Sequence, residues 1–196
     1  MKKFIVITFI IMSSILFAQN DTISIDYNIS CFVNNLWNSG LKFGTEYILK
    51  QQINKKQQND RKKKKKVKIQ ELILNADGGF YWDPMSHIAF FLFSGIKYRN
   101  TATEKFQWNI GLNPIGYYRS FLPETYEVND NGEIKKIFLP GKSYYSPSLT
   151  IGIGKYRKDK KMKAWFLNFN FMLLYKYNAD LLPLINTVYG YRFDWK

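Results

Sequence analysis

The chain has 196 residues, with 29 Lys and Arg against 15 Asp and Glu for a formal net charge of +14, 18% aromatic residues and one cysteine. That length fits one domain, and a single cysteine excludes an intramolecular disulfide framework, leaving Cys31 as a small apolar side chain. The 14 Tyr, 16 Phe and 5 Trp exceed what a soluble core of this size needs, and such rings favour places where one end is dry and the other wet, the headgroup zone of a bilayer included.

The chain opens on Met1-Lys2-Lys3, runs apolar from Phe4 to Met12 and relaxes through Ser13 to Ala18 into Gln19-Asn20-Asp21. A basic start, an apolar stretch of roughly 7–15 residues and a small exit residue describe a cleaved secretory signal. Residues 1–18 are therefore expected to leave, and residues 19–196 to form one exported domain. Cys31 lies too far past Ala18 to be the lipidated first residue of a lipoprotein, and no later segment offers the ~20 apolar residues of a spanning helix.

Eight strands are expected after the signal, at about 22–33, 40–50, 67–81, 86–98, 106–121, 143–156, 163–177 and 183–195. The first alternates least convincingly, and 67–81 and 86–98 alternate less cleanly than the rest. Phe106, Trp108, Ile110 and Leu112 share one face of the fifth strand, with Gln107, Asn109 and Gly111 on the other. Leu149, Ile151 and Ile153 oppose Thr150, Gly152 and Gly154 in the sixth. In the seventh, Trp165, Leu167, Phe169, Phe171 and Leu173 form one face, and Asn168 and Asn170 share the other with Phe166, Met172 and Leu174. Tyr189, Tyr191, Phe193 and Trp195 alternate with Gly190, Arg192 and Asp194 at the end. Should 22–33 lie outside the sheet, Ile134–Leu139 is the replacement strand.

Which face points out decides the fold. A soluble barrel or sandwich puts its bulky apolar face inward. Here the polar faces are rich in Gly and Asn, small enough for the crowded lumen of an eight-stranded barrel. The opposite faces are continuous Phe, Leu, Ile, Trp and Tyr. Tyr117, Tyr118, Tyr144, Tyr145, Tyr175, Tyr177, Tyr191 and Trp195 gather near strand ends, like two interfacial girdles. The expected fold is all-β: a closed antiparallel up-and-down transmembrane barrel of about eight strands. It requires Trp108, Ile151 and Phe169 to face lipid and Asn109, Thr150 and Asn168 to face the lumen.

The signal, the even set of alternating strands and the closing Tyr189-Gly190-Tyr191-Arg192-Phe193-Asp194-Trp195-Lys196 resemble the small bacterial outer-membrane β-barrels of eight strands. Closing strands of that family end on an aromatic residue, whereas Trp195 here is penultimate. The resemblance implies folding into the outer membrane after transit with periplasmic chaperones and the barrel-assembly machinery, and implies no single activity. With the last strand ending in the periplasm, the connections at 34–39, 82–85, 122–142 and 178–182 face outward, and those at 51–66, 99–105 and 157–162 face the periplasm.

Residues 50–68 hold ten Lys and Arg against Asp60 alone. The Arg61-Lys62-Lys63-Lys64-Lys65-Lys66 run has no interleaved aromatic on which a base could stack, so nucleic acid is not expected as a partner. A solvated loop is the plain reading, and contact with anionic lipid headgroups or an acidic partner is the functional one. Charges inside strands, Glu46, Glu71, Lys97, Arg99, Lys176, Arg192 and Asp194, should avoid lipid, and Glu46 should pair with Arg99 or Arg192 in a lumen network. Asn129–Gly132 forms the turn of the long 122–142 loop.

A lipid A deacylase of barrel form needs a histidine and a serine two residues on, sharing one face. The sequence places Ser86 before His87, on the opposite face, and Ala89 after it. No metal-ligand spacing or cofactor fingerprint occurs, so no cofactor is expected. The expected function is a non-enzymatic outer-membrane barrel with a structural or loop-mediated binding role. Alternatives are a narrow transport channel, an outer-membrane lipid-modifying hydrolase and a secreted soluble lipid-binding barrel.

Overall fold

The structure, a computed structural model, describes residues 25–34, 38–56, 66–83, 87–102, 106–122, 125–128, 132–138, 140–156, 162–177 and 180–194. The expected signal at 1–18 and the Arg61–Lys65 run lie outside the described residues. Those described form β-strands and connections with no helix. They are β1 (Ile25–Asn34), β2 (Asn38–Lys56), β3 (Lys66–Asp83), β4 (His87–Ala102), β5 (Phe106–Phe121), β6 (Tyr126–Val128), β7 (Ile134–Lys136), β8 (Gly141–Tyr145), β9 (Ser148–Tyr156), β10 (Met162–Tyr177) and β11 (Asp180–Asp194).

Each strand of the wall pairs antiparallel with its sequence neighbour, and β1 pairs with β11 as well as β2, so the sheet closes. Strands β8 and β9 make one interrupted stave between β5 and β10. The interruption falls at Pro147, which has no N–H to give the ladder. Ser146 N donates to the Gly116 carbonyl and Leu173 N to that of Pro147, each at 3.0 Å, so the wall stays bonded across it. A second irregularity lies between Ser94 and Ile96 on β4, opposite Pro114 on β5. Eight staves and no free edge satisfy the backbone without water, a condition that hydrocarbon imposes.

The faces are inverted relative to a soluble protein. Trp108, Ile151 and Phe169 are 39%, 46% and 44% exposed, whereas Asn109, Thr150 and Asn168 are 2%, 5% and 3% exposed. The chain is thus a closed antiparallel transmembrane barrel of eight staves. Cys31 belongs to the exposed outer face.

Several boundaries differ from the sequence expectation. Strand β1 holds its place beside β11 from Asp26 to Asn34, so no replacement is needed. Ile134–Lys136 is a strand, but it pairs with β6 in a separate two-stranded sheet within the long connection. The expected loop at 51–66 is partly ladder, because β2 and β3 stay paired out to Lys56 and Lys66. Tyr118 and Tyr144 are not girdle residues. They point inward and are 2% and 8% exposed, because the lumen near the long connection is packed with rings.

Candidate functional site

The lumen is built in three zones. At the end where β1 starts and β11 finishes, Asp26 and Glu46 are direct cross-strand partners, two carboxylates that would repel if left alone. Arg99 on β4 lies between them, with Nη1 2.5 Å from Glu46 Oε2 and Nη2 3.4 Å from Asp26 Oδ2, while its Nε lies 2.5 Å from Glu71 Oε2. Lys97 Nζ reaches Glu46 Oε1 at 2.8 Å, and Arg192 Nε is 2.7 Å from Glu46 Oε2. One carboxylate thus serves three cations. Higher up, Lys42 Nζ pairs with Asp77 Oδ2 at 3.1 Å. The buried charges among the described residues are Asp26, Glu46, Glu71 and Asp77 against Lys42, Lys97, Arg99 and Arg192, so these buried charges balance. Balance matters because an unpaired charge away from water costs several kcal/mol.

The middle zone is amide. Asn75 Nδ2 donates to Asn113 Oδ1 at 2.9 Å and to Asp77 Oδ2 at 3.2 Å, Asn113 Nδ2 donates to Ser148 Oγ at 3.0 Å, and Asn109 Nδ2 donates to Asn168 Oδ1 at 3.1 Å. Glycine makes room for it. A Cβ on Gly152 would overlap Asn168 Oδ1 and sit 2.8 Å from Asn109 Nδ2, and one on Gly44 would overlap Asp77 Oδ1.

The third zone is a plug of rings near the end that carries the long connection. Phe32 meets Phe91 edge-on at 4.9 Å and Tyr81 at 5.5 Å, and Phe91 stacks on Phe93 at 5.2 Å. The Tyr81 and Tyr118 hydroxyls bond to each other at 2.5 Å. Among the described residues, these packed rings and the ion cluster occupy the barrel interior from opposite ends.

Of the residues singled out in the sequence, Glu46, Arg99 and Arg192 meet in the ion cluster. Lys66 opens β3 opposite Lys56, and Arg61–Lys65 lie outside the described residues. His87 opens β4 opposite Asp83, and Ser86 lies outside the described residues. Asp26, Lys42 and Asp77 completed the network without being foreseen. Each is a lone charge in an alternating strand, which was the available signal. Among the described residues no group of three His, Cys, Asp or Glu is placed to hold a metal ion.

The two ends differ. At the end with Ile25 and Asp194, the β2–β3 ladder continues to Lys56 and Lys66, whereas the β3–β4 ladder stops at Lys68 and Ala102. Lys50 and Lys68 are exposed, and Lys66 and Val67 of β3 run past β4 beside Lys56 and Lys55 of β2. At the opposite end, β6 and β7 form a sheet separate from the barrel and expose Val128 and Ile134 by 65% and 72%, and Phe138, two residues past β7, is 88% exposed.

No protein-family model and no curated protein matches the sequence. Among solved structures, the chain is similar to Neisserial surface protein A, with a TM-score of 0.46 and 8% identity over 88% of this chain and 96% of that one. It is also similar to Ail, the attachment invasion locus protein of Yersinia pestis, with a TM-score of 0.35 and 13% identity over 87% of this chain and 96% of that one. The architecture seen here, a closed antiparallel barrel of eight staves with an apolar outer face, rests on this chain's own ladder and inverted faces.

Proposed function

We propose that the chain is a non-enzymatic outer-membrane barrel, exported by a signal at residues 1–18, whose sealed lumen makes it a rigid scaffold and whose long loop binds a partner outside the cell. The carrying observation is the combination of an apolar outer wall with an interior whose buried charges balance. A wall of that polarity belongs in hydrocarbon, and among the described residues the interior is occupied by an ion cluster and a ring plug. Binding is assigned to the loop because it displays Val128, Ile134 and Phe138 to the surroundings, a patch that a purely structural loop has no reason to keep apolar. On the periplasmic side, the Lys-rich hairpin suits anionic lipid headgroups or an acidic partner.

Cell fractionation with gel migration before and after boiling tests the scaffold. The protein is expected in the outer membrane, with a mobility that heat changes, and silent in planar bilayers. Recovery in the aqueous fraction after carbonate washing, or discrete conductance steps, would overturn the proposal, as would fatty acid release from lipopolysaccharide that His87→Ala abolishes.

A further inference from the structure

The outer wall is not uniform. From β11 across β1 to β4 it carries a groove of about 680 Å³ whose floor is Thr45, Ala76 and Gly78 and whose sides are Tyr27, Phe43, Phe80 and Phe193. Elsewhere small residues have packing reasons. A Cβ on the inward-facing Gly79 would come within 2.5 Å of both the Leu41 carbonyl and the Phe91 ring. Gly78 is different: a Cβ there would meet the movable tip of Leu92 at 2.9 Å and the Phe91 carbonyl at an ordinary 3.8 Å. The wall does not require a glycine at that position, and the missing side chain keeps the groove open.

The mouth of the groove carries the second observation. Phe90 lines its upper end, and the direct cross-strand partner of Phe90 is Arg119 on β5. Arg119 lies on the outward face, since its neighbour Tyr118 points into the lumen. Its guanidinium sits 5.2 Å from the Phe121 ring centroid, and Nη1 donates to Ser143 Oγ at 3.4 Å. A guanidinium in the girdle at the long-loop end has the planar, forked geometry that suits a phosphate. From β4 to β1 the groove crosses three strand spacings of ~4.8 Å, at least about 14 Å, the scale of an acyl chain.

We propose that this groove seats one acyl chain of a phosphorylated lipid from the leaflet on the long-loop side, with the lipid's phosphate held by Arg119. The inference rests on the reading above that this wall faces hydrocarbon. A floor of small residues and sides of flat rings accept a flexible chain along their length, while the cation at one end fixes which way the lipid points.

Phosphatidic acid carrying a photoreactive diazirine at the end of its acyl chain is the probe, diluted into phosphatidylcholine nanodiscs that contain the folded full chain. Labelling should concentrate on the β2–β3 groove and spare the β9–β10 wall around Ile151 and Phe169. Ala76→Trp, which fills the floor, should abolish groove labelling, and Thr45→Phe does the same on the neighbouring stave should the first variant not fold. Arg119→Gln should lower groove labelling by phosphatidic acid about tenfold, the worth of one hydrogen bond to a charged group, and leave labelling by the matching diacylglycerol probe unchanged. Equal labelling of both walls or insensitivity to Ala76→Trp would overturn the assignment. Heat-dependent gel migration on the same samples separates the outcomes, because an intact barrel labelled evenly sinks the groove alone.

Discussion

Glu46 and Arg192 stand 146 residues apart in sequence and meet inside the barrel, with Arg192 Nε 2.7 Å from Glu46 Oε2. The contact ties the second stave to the last, so it exists only once the sheet has closed. Because Lys97 and Arg99 share the same carboxylate, Glu46→Ala leaves three buried cations short of their counter-charge. The expected loss is about 3–5 kcal/mol of stability, read from urea titration of the folded barrel in micelles. Arg192→Gln should cost less, since Lys97 and Arg99 still hold Glu46. The double variant should fall short of the sum by roughly 0.5–3 kcal/mol, the coupling expected of neighbours in one network.

Inversion of the faces predicts different responses from two exposed isoleucines, one on the wall and one on the loop hairpin. Ile151 faces outward and is 46% exposed, and Ile151→Arg should cost roughly 2–4 kcal/mol in folding into phospholipid bilayers. Ile134 on the outer hairpin is 72% exposed, and Ile134→Arg should leave folding unchanged. A neutral outcome at Ile151 would mean that this wall does not contact hydrocarbon.

The faces of strands with one polar side were legible from sequence, whereas the strand expected at 86–98 was found but its inward face was not. From Phe106 to Leu112 and from Ser148 to Gly154 the alternation maps directly onto exposed and buried positions. The run Phe90-Phe91-Leu92-Phe93 alternates poorly because both its faces are apolar: Phe90 and Leu92 face out, and Phe91 and Phe93 build the plug. The lysine run hid the extended hairpin, since composition alone says loop. The ladder continues because Gln51 and Glu71 pair across it, Gln51 Nε2 donating to Glu71 Oε1 at 2.7 Å. That Glu46 has an arginine partner follows from burying a carboxylate. That it has two, plus Lys97, depends on how the staves stagger, which local spacing does not encode.

The ring plug should be the costliest place to remove volume. Phe91 is 3% exposed and touches both Phe32 and Phe93. Phe91→Ala should destabilise by about 3–5 kcal/mol, measured by the same urea titration. Phe169→Ala, on the outer wall, should cost much less, because lipid chains fill the space.

Crowding in the amide zone makes an opposite kind of substitution informative. A Cβ on Gly152 overlaps Asn168 Oδ1, so Gly152→Val should cost about 1–3 kcal/mol through overpacking. Gly152→Val combined with Asn168→Ala should recover part of that loss. Failure to recover would show that the clash lies with Asn109 Nδ2, 2.8 Å from the same Cβ, and not with Asn168.

Strand parity puts the long connection and the lysine hairpin at opposite ends of the barrel, and protease on intact cells tests which end is outside. Lys135 and Lys136 lie on the exposed β7, so trypsin added to whole cells should cut there. The two fragments should stay together, because β5 and β8 remain paired from Tyr117–Tyr145 to Phe121–Gly141 after the loop between them is cut. Cleavage in the Lys50–Lys68 hairpin should appear only after the outer membrane is permeabilised. Cutting at the hairpin on intact cells, with the β7 lysines protected, would reverse the orientation and move any headgroup contact of the lysines to the cell surface.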